Sequence, residues 1–196
     1  MGDKTLRELL PEFYKQYNLG ADGGNNSASV KIEMTKNFGL YFPNFAARKR
    51  AVLKHDIHHL VTNYPSTFKG ETEIGAWEIA SGCKDYWVAW MLDMSGMMTG
   101  ILFNFWGVIK AFARGRRTKN LYYNIISTDQ ALDMKPGELQ KALSLDKYSK
   151  HTKPSFIDLL VFAAWASAGI IYSILSLVFL PFIIIYTIKL QKYLQH

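Results

Sequence analysis

LLVFAAWASAGIIYSILSLVFLPFIIIYTI, residues 159–188, is a run of 30 residues without a charge. As a helix it measures about 45 Å, at about 1.5 Å per residue. A bilayer core of roughly 30 Å needs about 20 apolar residues. The run is therefore long enough to cross once with tilt. Pro181 is a candidate kink. A re-entrant hairpin is the alternative, with two short legs. Ser155 and Asp158 stand at the spacing of an N-cap and its third helical residue, which marks a helix start. Lys189 and Lys192 mark the far end. A buried core helix fits less well, because Phe179-Leu180 and Ile183-Ile184-Ile185 leave no polar face.

The rest of the 196-residue chain is more ordinary. Hydrophobic residues make up 49% and charged residues 20%, which excludes a disordered chain. Cys83 is the one cysteine, so no internal disulfide forms. The net charge of +7 is not spread evenly. Residues 1–92 are close to neutral, and the basic excess lies in residues 110–158, just before the apolar run. That placement fits anionic lipid headgroups better than a nucleic-acid groove, and no nucleic-acid partner is expected.

The periodicities are helical, and the class expected is all-α, with a C-terminal membrane-anchoring helix. Residues 1–29 read as an amphipathic helix, with Leu6, Leu9, Leu10 and Phe13 on one face, and a flexible loop over 19–29. Residues 30–150 read as a helical domain, and 155–190 as the transmembrane segment. Asn44 is the expected cap of a helix reaching Asn63, and Thr67 of one reaching Ser81. Tyr86 to Ile109 is apolar but for Asp93, and carries Met91, Met94, Met97 and Met98. Such a flexible, polarisable face suits a core or lipid-binding helix. A second transmembrane helix is the alternative. No strand is expected.

The stretch that carries chemistry is His55-Asp56-Ile57-His58-His59, followed twelve residues later by Glu71. At about 100° per residue, His59 lies about 40° and Asp56 about 100° from His55, so all three share one helix face. An i,i+4 histidine pair lets two imidazoles reach one ion. The Tyr64-Pro65 turn reverses the chain and brings Glu71 opposite the pair. Glu78 stands seven residues on, behind Glu71 on the same face. Two imidazoles with one or two carboxylates suit a divalent first-row metal, zinc or another transition metal.

This pattern, HDxxH, eleven residues, then Glu, with Pro65 and Gly70 in place, resembles the signature of the coenzyme Q (ubiquinone) biosynthesis protein 4 family. Trp77-Glu78, Gly115-Arg116-Arg117 and Leu121-Tyr122-Tyr123 resemble later features of the same family. The resemblance spans roughly residues 30–145. It implies a helical, membrane-associated protein that binds a polyprenyl lipid next to a metal ion held by His55, Asp56, His59 and Glu71. Family members serve quinone biosynthesis, either as enzymes that oxidatively remove the ring carboxylate of a prenylated hydroxybenzoate or as scaffolds of a biosynthetic complex. His59 and Glu71 would then relay protons. The lipid tail would follow Met91, Met94, Met98, Leu102 and Phe105, and Arg116 and Arg117 would meet an anionic head group or a substrate carboxylate. Other quinone-biosynthesis proteins and a homo-oligomer are the expected partners. The apolar run 159–188 departs from the family, because it lies beyond the usual end of the domain.

A histidine–aspartate phosphohydrolase is a poorer reading, since no histidine precedes His55. The lysines and arginines before the apolar run outnumber the two lysines after it. That bias places the helical domain on the cytoplasmic side of a bacterial cytoplasmic membrane.

Overall fold

In the computed structural model, the apolar run lies within one continuous helix, α8 (Phe156–Leu194). The structure describes residues 3–24, 26–35 and 38–194. Ser155 and Asp158 form the expected start of α8. The Ser155 amide donates to Asp158 Oδ2 at 2.7 Å, and the Asp158 amide to Ser155 Oγ at 3.2 Å. Within Phe156–Leu190 the most apolar 18-residue stretch has a mean hydropathy of 2.5 and is almost entirely unburied, and by length and composition the helix is able to cross a membrane.

The body of the molecule is helical, as its periodicities predict. α1 (Leu6–Gln16) buries Leu6, Leu9, Leu10, Phe13 and Tyr14. α2 (Ala46–Thr62) ends where Asn63 turns left-handed. Pro65 follows, and Thr67 caps α3 (Phe68–Ser81) by accepting from the Gly70 amide. α4 (Trp87–Phe103) and α5 (Phe105–Gly115) meet at Asn104. Two short helices, α6 (Thr128–Asp133) and α7 (Pro136–Ala142), complete the domain.

Two local expectations need correction. The chain forms a strand pair, β1 (Ser29–Thr35) and β2 (Phe38–Pro43), antiparallel, with Val30 opposite Phe42 and Ile32 opposite Leu40. The β2 backbone reaches α8 through a hydrogen bond from the Tyr41 amide to Thr187 Oγ1. Asn44 does not cap α2; Phe45 holds that position. The Asn44 amide group instead donates to the carbonyls of Gly24 and Ser27, and so ties down the loop over 19–29.

α3 is the axis of the core, packed between α4 and α5. Ile57, Ile74, Trp77, Met97, Phe112 and Leu121 are fully buried around it. Each contributes about 1.5–3 kcal/mol of apolar burial. Gly75 lets α3 and α4 approach closely. A Cβ there would stand 2.8 Å from the Asp93 carbonyl oxygen. This contact turns Asp93, the lone charge of α4, into the protein and not toward lipid; it is 3% exposed.

Candidate metal centre

His55 and His59 project from α2 one turn apart, and Glu71 faces them from the first turn of α3. Each imidazole is fixed by its other ring nitrogen. His59 Nδ1 lies 2.8 Å from the Tyr64 carbonyl oxygen, which only accepts, so Nδ1 carries the proton. His55 Nδ1 lies 3.0 Å from Glu78 Oε2. Glu78 is fully buried, and its pKa is held well below 4.5: burial alone would raise it, but the charge of His55 and the bonds from His55 and His58 outweigh that. It is therefore a carboxylate, and His55 Nδ1 donates to it.

Both Nε2 atoms are thus left to point at Glu71. They stand 3.1 Å apart, and each is 3.3 Å from a Glu71 oxygen. Two neutral imidazoles would aim lone pairs at each other and at a carboxylate, an arrangement that only a cation reconciles. Two ligand atoms about 2.0–2.1 Å from a tetrahedral zinc lie roughly 3.3 Å apart. The three observed separations match that spacing, so the donor set fits a small divalent ion. In the metal-free chain a proton takes the cation's part. Burial opposes charge on His55, but Glu78 and Glu71 prevail and raise its pKa well above 6.5.

The back of the site is closed and the front is open. Glu78 also accepts from His58 Nδ1 and from the Tyr122 hydroxyl, and His58 Nε2 accepts from the Leu121 amide. Asp93 Oδ1 stands 3.9 Å from His55 Nδ1, and Cys83 Sγ donates to Asp93 Oδ2. Burial, then the neighbouring charge of Glu78, raises the Asp93 pKa well above 3.8. His55, Glu78 and Asp93 stand close enough to be a second grouping of possible ligand atoms, but the proton on His55 Nδ1 and the raised Asp93 pKa make it a hydrogen-bonded support behind the first. At the front, the Glu71 side chain is 41% exposed and accepts from Ser66 Oγ at 2.6 Å. His59 also lines an open cleft of about 710 Å³ between α1, the end of α2 and α7, walled by Leu9, Phe13, Tyr17 and Leu60.

Of the residues singled out in the sequence, the structure gathers His55, His59 and Glu71, with Glu78 behind them. Asp56 is not in the group. Its Oδ2 accepts from the Tyr14 hydroxyl at 3.0 Å, so it faces α1 and not α3. Nor do Met91, Met94, Met98, Leu102 and Phe105 line one groove. Gly169 of α8 lies over Met94 and Met98. The Met91 carbonyl accepts from the Tyr172 hydroxyl, while Leu102 and Phe105 are exposed. Arg116 and Arg117 both bind Asp158, at 2.9 and 2.6 Å, and so hold down the start of α8. Sequence reasoning misses His58, Asp93, Cys83, Tyr122 and Ser66 at the site. The i,i+3 spacing of His58 from His55 and the place of Tyr122 in the Leu121-Tyr122-Tyr123 resemblance are the signals that point toward any of them.

Comparison with protein-family models, with curated proteins and with solved structures finds no match to this chain.

Proposed function

We propose that the chain is a membrane-anchored metal protein of quinone biosynthesis, which binds a prenylated aromatic lipid with its ring at the His55–His59–Glu71 centre. The observation that carries this reading is the convergence of the two Nε2 atoms and Glu71 within 3.3 Å, each imidazole fixed from behind. The resemblance in sequence supplies the pathway. α8 supports a lipid substrate, because it would keep the site next to the bilayer.

His55, His59 and Glu71 would hold zinc or another first-row divalent ion. Such an ion, when bound, acts as a Lewis acid on a ring oxygen or carboxylate. Tyr64 and Glu78 keep the imidazoles in the tautomer that ligation needs. Glu71 is the exposed member, hydrogen-bonded by Ser66, and is the group placed to carry protons to and from the substrate. The reaction is oxidative decarboxylation: the ring–carboxyl bond breaks and carbon dioxide leaves, water supplies the hydroxyl that takes its place, and dioxygen accepts the two electrons and two protons and leaves as hydrogen peroxide. The start of α8 lies on the cytoplasmic side of a bacterial membrane, following the positive charge before it.

A non-catalytic lipid scaffold is the second reading. It is favoured by the buried network behind the imidazoles, where Glu78 accepts from His55, His58 and Tyr122 and would serve a purely structural ion equally well. The test is to extract lipid from the purified protein for mass spectrometry and to supply a prenylated hydroxybenzoate under oxygen. A decarboxylated, hydroxylated product that disappears in Glu71→Gln supports the enzyme. Bound lipid without turnover supports the scaffold, and neither lipid nor turnover removes the pathway reading.

A further inference from the structure

The elbow between α4 and α5 is a second apolar surface, independent of the metal centre. Leu102 is 77% exposed, Phe103 72% and Trp106 70%, and Phe105 and Phe68 stand beside them, also exposed. Met94 to Ile109 contains no charge, and Lys69 and Lys110 flank the patch in sequence. Contiguous exposed aromatics of this kind mark an interaction site.

The elbow is held rigidly. Its tip, Asn104, donates from Nδ2 to Thr72 Oγ1 and Glu73 Oε1, both on α3. The Asn104 backbone amide also caps α4 on the Gly100 carbonyl. The four side chains thus stand out from a braced backbone, and not from a loop able to fold them inward.

The patch is continuous with α8. Phe105 meets Phe162 of α8 edge-on at 6.4 Å, and Phe103 meets Phe68 at 5.9 Å. The neighbouring turn of α8 exposes Phe156, Ile157 and Leu160. The elbow therefore borders the helix that is itself long and apolar enough to enter lipid. An aromatic cluster with flanking lysines at that position has the composition of a membrane-interface element.

We infer that the α4–α5 elbow inserts Leu102, Phe103, Phe105 and Trp106 into the same bilayer as α8, so that the domain rests on the membrane by two contacts. The occupant of the patch is bilayer lipid. This fixes the orientation of the domain, which one helix alone leaves free to rotate.

The test uses the full chain in vesicles of phosphatidylcholine and phosphatidylglycerol. Leu102→Cys, Trp106→Cys and, as a control on α6, Asp129→Cys are each spin-labelled; the native Cys83 is buried and does not react. Collision with oxygen and with a water-soluble nickel complex is then measured. The inference expects nickel accessibility at 102 and 106 to fall at least several-fold below that at 129, with oxygen accessibility higher. Nickel accessibility equal to that at 129 would overturn it. So would protection accompanied by label–label broadening that vanishes on dilution with unlabelled protein, because a second copy would then be the occupant.

Discussion

Glu78 receives three donors, from His55, His58 and Tyr122, without contact with solvent. It fixes the ring that aims His55 Nε2 at Glu71. Partners that orient a metal-binding histidine are worth about 10–100-fold in metal affinity. Glu78→Gln should therefore weaken zinc binding by that factor in a chelator competition, with the helical circular dichroism unchanged. The same residues set a pH dependence. In the metal-free chain the raised His55 pKa contributes stability that is complete below 6.5 and is lost as pH rises through its folded value. The lowered pKa values of Glu71 and Glu78 contribute stability that is complete above 4.5 and is lost as pH falls. Melting of the chelated protein should thus be highest between those limits. Zinc replaces the proton, so the melting gap between loaded and chelated protein should widen as pH rises above 6.5. Legibility at this scale divides by distance. The HxxxH spacing and Glu71 are local features of two helices joined by one turn, and the sequence shows them. Asp56 differs from His59 by only about 60° around α2, too little for periodicity to tell a neighbour on α3 from Tyr14 on α1. Asp93 and Tyr122 reach Glu78 only through tertiary packing.

At the level of elements, α8 is joined to the domain by polar and apolar contacts together. Asp158 takes Arg116, Arg117 and the Ser155 cap. Trp165 stacks on Trp90 at 5.3 Å, and Gly169 lies against the α4 methionines. Asp158→Ala removes a charge-assisted bond and a helix cap, and should cost about 2–4 kcal/mol in chemical unfolding. Tryptic cleavage after Lys150 should speed up in the same variant. These contacts engage Met94, Met98, Arg116 and Arg117, the residues that the sequence offers for a lipid. A methionine face and an arginine pair look the same whether they meet a ligand or another helix of the same chain. Helical character is legible from the apolar periods, and the starts of α3 and α8 from their caps, but the break of the Tyr86–Ile109 stretch at Asn104 is not. The β1–β2 ribbon was not, although Val30, Ile32 and Met34 alternate with Lys31 and Glu33. Five residues of alternation before a helical chain are a weak signal beside the helices that follow.

Taken whole, the molecule sets the two helices that carry the candidate metal ligands, α2 and α3, against a partly apolar layer of α4, α5 and α8. α3 touches both sides, with Glu71 at the centre and Gly75 against α4. A long apolar α8 should keep the protein in the pellet after alkaline carbonate extraction of membranes, whereas a peripheral protein would be released. The central claim remains the metal. The most direct measurement is elemental analysis of the purified full chain beside His55→Ala/His59→Ala, each checked for folding by circular dichroism. One equivalent of a divalent transition metal in the parent, absent from a folded double variant, is the predicted result. Equal metal content in the two proteins, or none in the parent after growth and purification with added zinc, would contradict it.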